Sequence, residues 1–142
     1  MSEVKPSQFA ASCFCLAARK AARALARRYD EALQPAGVNN GQFSILMFAS
    51  VDPPLPLGAV AEGLGLDRTT LTAALKPLER DGYIVQRPNP ADARSKLIAI
   101  TRAGRRVLSE AIPLWRKAQS ELKNAVTIKD ADALRAALHA LG

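Results

Sequence analysis

The sequence predicts a mainly α-helical chain with one small β-hairpin, and three observations carry that prediction. Apolar residues recur every three or four positions through most of the chain, the spacing of helix faces. Two short runs rich in Ile and Val, Tyr83 to Arg87 and Lys96 to Ile100, flank a loop of turn-forming residues. With 142 residues, 49% of them hydrophobic, the chain is long enough to close one core and too apolar to be disordered.

Taken in order, the first element is a long amphipathic helix from about Ser7 to Leu33. It is rich in Ala and carries Phe9, Cys13, Leu16, Leu25, Tyr29 and Leu33 at helical spacing. Its cations Arg19, Lys20, Arg23, Arg27 and Arg28 fall mostly on another side and read as a solvated face, and Pro35 with Gly37 stops the helix. Asn39 or Asn40 caps a second helix, in which Phe43, Leu46 and Met47 form a stripe before Asp52-Pro53-Pro54 breaks the chain. Leu57, Val60, Ala61 and Leu64 share one face of a short third helix ended by Gly65. Asp67 then caps a fourth helix from about Arg68 to Asp81, with Leu71, Leu75 and Leu78 inward and Gly82 at its end. Pro77 lies inside this helix, where it removes a backbone donor and is expected to bend or loosen the C-terminal half.

The loop from Pro88 to Ser95 turns the hairpin and makes a protruding tip. Thr101 caps a fifth helix carrying Leu108, Ile112, Trp115, Ala118 and Leu122, and Thr127 starts a last one carrying Leu134, Leu138 and Leu141. The first helix and the two C-terminal ones present apolar stripes that so small a hairpin-and-helix unit cannot cover. A second copy in a symmetric dimer is the simplest cover. The expected organisation is one folding unit: residues 1–36 as an N-terminal dimerisation helix, 37–104 as the region of short helices and hairpin, and 105–142 as C-terminal dimerisation helices.

The formal charge of +7 favours polyanionic partners, nucleic acid or an anionic membrane surface. The excess is regional: residues 55–106 and 7–34 are basic, and residues 107–142 are nearly balanced. No apolar run approaches the roughly 18 residues of a membrane span, and no signal peptide is legible, so a cytoplasmic protein without membrane association is expected. The only cysteines, Cys13 and Cys15, would point to nearly opposite sides of a helix, which argues against a disulfide scaffold. One histidine, His139, no glycine-rich phosphate loop and no carboxylate pair beside a base argue against an enzyme or a cofactor site. Two cysteines and one distant histidine also fall short of a structural zinc set.

A helix that enters a DNA groove needs outward side chains that are short, polar or basic, and residues 57–82 meet this need. Arg68 suits bidentate contact with guanine, Thr69, Thr70 and Thr72 suit bases or phosphates, and Lys76 suits a phosphate. Asp67 and Thr70 also act as the helix cap. In the hairpin, Arg87, Arg94 and Lys96 surround a loop poor in acids. The tip can therefore set Arg94 in a narrow minor groove, braced by an ion pair with Asp92.

The order of helix, turn, helix, Gly82 and a hairpin with Asp92-x-Arg94, continuing into Leu97-Ile98-Ala99-Ile100-Thr101-Arg102-Ala103-Gly104, resembles the MarR family of winged helix-turn-helix regulators. Leu66-Asp67-Arg68-Thr69-Thr70-Leu71-Thr72 and Leu78-Glu79-Arg80-Asp81-Gly82-Tyr83-Ile84 carry the resemblance further, and it covers essentially the whole chain. It implies a homodimer with an intertwined helical interface, reading a pseudo-palindromic operator in double-stranded DNA. It also implies a transcription regulator, usually a repressor relieved by a ligand or an oxidant. Ala73 departs from the Arg that many members carry, and Pro77 departs from an uninterrupted recognition helix.

Cys15 precedes Tyr29 by a spacing similar to the peroxide-sensing branch of the family, which makes Cys15, and secondly Cys13, candidate redox sensors. Asn40 stands where that branch has another tyrosine, and no distal resolving cysteine exists. The competing signal is a small aromatic or amphipathic effector in the crevice between the dimer helices and the winged domain. Trp115, Phe9, Phe14, Phe43 and Phe48 read as packing or interface residues before they read as that crevice. The rival function is a nonspecific architectural DNA-binding protein, which would need the cations but not a turn-helix with a polar face.

Overall fold

The computed structural model describes residues 3–125 and 131–142. In chain order the elements are α1 (Pro6–Ser12), α2 (Phe14–Leu33), a 3-10 turn (Gln34–Ala36), α3 (Asn40–Ala49), β1 (Leu55–Pro56), α4 (Leu57–Leu64), α5 (Arg68–Arg80), β2 (Ile84–Pro88), β3 (Lys96–Ile100), α6 (Arg102–Ala125) and α7 (Ala131–Ala140). The expected mainly helical fold with a β-hairpin wing is present, with three differences.

The first helix is two. Cys13 adopts an extended conformation, φ −78° and ψ 109°, and its Sγ accepts the Leu16 N–H at 3.4 Å, so the residue ends α1 and caps α2. The two thiols therefore do not share one helix and are not set on opposite sides of it by helical geometry. Both are free. The second difference is β1, a two-residue strand too short to leave any periodicity in the sequence. It pairs antiparallel with β3 through Leu55↔Ile98 and Pro56↔Leu97, giving a three-stranded sheet in the order β1-β3-β2. The third concerns Pro77. The proline leaves the Ala73 carbonyl without its i+4 donor, yet α5 runs unbroken to Arg80 and Leu78 is fully buried. The inward stripe of leucines holds the C-terminal half in place.

Between Asn39 and Asn40, the cap is Asn39. Its side chain accepts the Gln42 N–H at 2.8 Å while the Gln42 side chain accepts the Asn39 N–H at 3.0 Å, a reciprocal capping box. The core runs from Leu33 to Ala111 and is filled by Leu46, Val60, Leu71, Leu75, Leu78, Ile84 and Ile98, all essentially inaccessible. Phe43 stacks on Trp115, with ring centroids 6.0 Å apart, and so ties α3 to α6.

The expected cap at Thr101 does more than start α6. Its Oγ1 accepts the Gly104 N–H at 3.0 Å and donates to the Gly82 carbonyl at 2.6 Å, while its own N–H donates to the Tyr83 carbonyl. A side chain on Gly104 would collide with that Tyr83 carbonyl oxygen and with Ile100, so the glycine admits the close approach. The end of α5, the root of the hairpin and the start of α6 thus meet at one joint. The expected start of the last helix at Thr127 lies outside the described residues. Its described part, α7, holds no buried residue, and Leu134, Leu138 and Leu141 are exposed, as are Phe9 and Phe14 near the other end.

Candidate nucleic-acid interface

The turn between α4 and α5 is short because Gly65 takes the left-handed conformation, φ 65°, which closes α4 with Leu66 N–H donating to the Ala61 carbonyl. Asp67 then starts α5. Its carboxylate accepts the Thr70 N–H at 2.7 Å and the Thr70 hydroxyl at 2.9 Å, and these bonds hold its pKa below the ordinary value. Thr70 is thereby committed to the cap.

Burial of Leu71, Leu75 and Leu78 fixes which side of α5 meets solvent. Arg68, Thr69, Thr72 and Lys76 are all exposed, and the Thr72 hydroxyl donates back to the Arg68 carbonyl at 2.7 Å, which leaves its oxygen able to accept. Thr69, Ala73, Lys76 and Arg80 follow one another at spacings of three and four, so they form one outer stripe. Arg80, not among the contacts expected from the sequence, completes this stripe by the same helical spacing; its Nε bonds Asp81 at 3.3 Å.

The wing is a ribbon whose register decides where its cations point. Arg87 pairs with Leu97 and Pro88 with Lys96, so Arg87 and Lys96 project from opposite faces. At the tip, Asn89 accepts the Ala91 N–H at 3.0 Å and Asp92 accepts the Arg94 N–H at 3.0 Å, local turns that suit these residue types. The expected pairing of Asp92 with Arg94 is present at 3.8 Å, but the Arg94 side chain is 96% exposed. The carboxylate therefore braces a guanidinium that still reaches into solvent. Gln86 donates to Glu79 at 2.5 Å and so fastens the ribbon to α5.

Between the first turn of α4 and the wing tip lies an open cleft of about 570 Å³, lined by Pro56, Gly58, Ala59, Glu62, Arg68, Asn89, Asp92, Arg94 and Ser95. The fold thus brings Arg68 and Arg94, 26 positions apart in sequence, to one recess. A second, largely apolar cavity of about 340 Å³ sits between α3 and α6. Phe43, Met47, Phe48, Leu64, Ile112 and Trp115 line it, with Ser44 and Arg116 as the polar exceptions. Phe43, Phe48 and Trp115 therefore serve packing and cavity together, while Phe9 and Phe14 serve neither within one chain.

Cys15 is exposed on α2 and Cys13 is half-buried at its cap. Cys15 and Tyr29 lie on the same unbroken helix, so the rise of about 1.5 Å per residue separates them by about 21 Å. A contact between such a thiol and such a tyrosine can form only between two chains. The Tyr29 hydroxyl donates instead to Gln119 of α6, and burial raises its pKa against the opposing pull of Arg135. Among the described residues, no helix is long and apolar enough to cross a membrane, and no cluster of His, Cys, Asp and Glu could hold a metal ion.

Comparison with known proteins agrees with this fold. The profile of the MarR family matches residues 38–96. The crystal structure of the Mycobacterium tuberculosis transcriptional regulator MosR in complex with DNA is 38% identical, covers 92% of this chain and 93% of its own, and superposes with a TM-score of 0.83. The transcriptional repressor CouR bound to a 23-mer DNA duplex is 26% identical over 99% of both chains, with a TM-score of 0.81. The organic hydroperoxide resistance transcriptional regulator of Bacillus subtilis is 29% identical over 102 residues, 72% of this chain and 68% of that one.

Proposed function

The chain belongs to the MarR family of winged-helix transcriptional regulators, and from that premise we propose that it is a repressor, a homodimer that grips a pseudo-palindromic operator in double-stranded DNA. One observation carries the reading: α5 turns an exposed polar stripe to solvent, and Arg68 at its first turn lines one open cleft together with Arg94 of the wing tip. An α-helix fits the major groove, and an arginine on a thin ribbon fits the neighbouring minor groove. Thr69, Thr72 and Lys76 are the contacts assigned to α5, with Arg80 added at its far end. Arg94 is assigned to the minor groove, with Asp92 as its brace, and Arg87 and Lys96 to flanking phosphates.

In this reading residues 1–36 and 105–142 are the dimerisation regions and residues 37–104 the DNA-binding region. The exposed apolar side chains of α1, α2 and α7 support that division. The cavity between α3 and α6 supports release by a small aromatic or amphipathic effector: its aromatic walls suit a flat ligand, and Arg116 at its lining suits an acidic group on it. Oxidation of Cys15 or Cys13 is the second reading of the signal, favoured by the exposure of Cys15 and by the Sγ of Cys13 at the start of α2.

The test is binding of operator and random DNA over a range of salt. Arg94→Ala is expected to weaken operator binding about tenfold or more and to flatten the salt dependence by about one unit. Unaltered binding removes the wing from the mechanism. Operator and random DNA bound alike, where specific sites usually win by roughly 10³-fold, would instead establish a nonspecific architectural protein. For the signal, Cys15→Ser and Cys13→Ser are compared before and after hydroperoxide. An oxidant response unchanged in both removes the thiols and leaves the effector cavity.

A further inference from the structure

We infer that Gly58 is a positioning residue for DNA recognition, holding Arg68 in the cleft toward a backbone phosphate rather than along the outer stripe of α5 toward a base. The inference rests on the reading of α5 and the wing as the DNA-binding surface.

Gly58 is the second residue of α4. A Cβ built there would stand 2.9 Å from Nη2 and 3.6 Å from Cζ of Arg68, so the guanidinium lies against bare backbone. Helix propensity does not explain this glycine, since alanine is the better helix former at such a position. No ion pair fixes Arg68 there: it makes none among the described residues, although Glu62 and Asp92 line the same recess, and the first-turn N–H groups of α4 carry partial positive charge. Room is the condition that Gly58 meets: the missing side chain lets the guanidinium lie in the cleft.

The same recess holds Arg94 on its other wall. Of the two acids that line it, Asp92 is engaged with Arg94, and Glu62 pairs with neither arginine. Arg68 is therefore a cation in want of an anion. A helix in the major groove and a ribbon in the adjacent minor groove are separated by one sugar-phosphate strand, and a cation between the two elements faces that strand. The planar fork of arginine matches a phosphate's oxygens. Such a contact sets the register of the protein on the duplex and carries no base preference of its own.

The experiment compares Gly58→Ala, Arg68→Ala and the double variant for operator affinity, salt dependence and preference at each operator base pair. Arg68→Ala is expected to weaken binding about tenfold, with the salt slope reduced by about one and the base preferences unchanged. Gly58→Ala should weaken binding in the same uniform manner by a smaller factor, with a thermal midpoint equal to or above that of the parent. In the Arg68→Ala background, Gly58→Ala should have no further effect on binding. Additive losses in the double variant, parental binding by Gly58→Ala, or a preference at one base pair relaxed by Arg68→Ala would each overturn the inference. Thr69→Ala and Arg94→Ala serve as controls. If they weaken binding while Gly58→Ala does not, only the role of Gly58 fails; if none of the variants matters, the DNA-binding surface itself has been misassigned.

Discussion

The winged region and the terminal helices are built from similar residues and end in opposite conditions. Between Val38 and Ala111 the helices and the sheet turn their apolar faces toward one another, and leucines such as Leu71 and Leu75 are wholly withdrawn from water. In α1 and α7 no residue is buried, and in α2 only Leu33 is. The same helical periodicity thus closes a core in one region and leaves an unfilled face in the other. Periodicity alone says that a face exists; whether the chain itself covers it depends on what the turns bring opposite.

The sharpest way to break this comparison is a cavity in the closed region. Leu75→Ala should cost about 3 kcal/mol of unfolding free energy, read by denaturant titration. A loss below about 1 kcal/mol would mean that the winged region is packed no better than the termini. The open face should respond differently. Leu138 is half-exposed in the single chain, so Leu138→Ala is expected to cost about 1–2 kcal/mol only when a second copy covers it, and the cost should appear as a concentration-dependent shift from dimer to monomer in sedimentation. A variant equally associated at every concentration would assign that face to something other than dimerisation.

Smaller effects test the local devices that hold the winged region in register. Asn39→Ala removes one half of the capping box of α3 and should cost about 1 kcal/mol with no change in association. The least of the expected effects is a pH dependence at Asp67. Its folded pKa lies below the ordinary value near 3.8 because Thr70 donates both its N–H and its hydroxyl to the carboxylate. The stabilisation is therefore present above that ordinary value and is lost as pH falls through the folded one. Asp67→Asn keeps the N-terminal acceptor but not the titration. Thermal midpoints of the two proteins should differ little at pH 7, and the parent should lose ground to the variant below about pH 4. Parallel curves down to acid pH would show that Asp67 does not act as a charged cap.

Much of the candidate site is legible in the sequence. The polar face of α5 follows from the spacing of Leu71, Leu75 and Leu78, the tight turn from Gly65 and Asp67, and the braced tip from Asp92 and Arg94, because each depends on neighbours within a few positions. Less legible were the features that leave no signal in the sequence pattern, or whose signal misleads. The break at Cys13 leaves no proline or glycine to announce it. β1 exists only because Ile98 and Leu97 offer it an edge. Pro77 looks like a helix breaker when only its missing donor is counted, and the buried leucines around it outweigh that loss.

By itself, the order of residues determined the periodic faces, the caps, the turns and the polarity of the outer face of α5, since these arise from interactions of short range along the chain. Tertiary structure alone decided that Arg68 would lie over Gly58 in the recess that Arg94 also lines, that Arg87 and Lys96 would leave opposite faces of the ribbon, and that Thr101 would join α5, the wing and α6. Such pairings are set by strand register and by the close approach of separate backbones. A one-dimensional pattern does not encode either until the chain has folded back on itself.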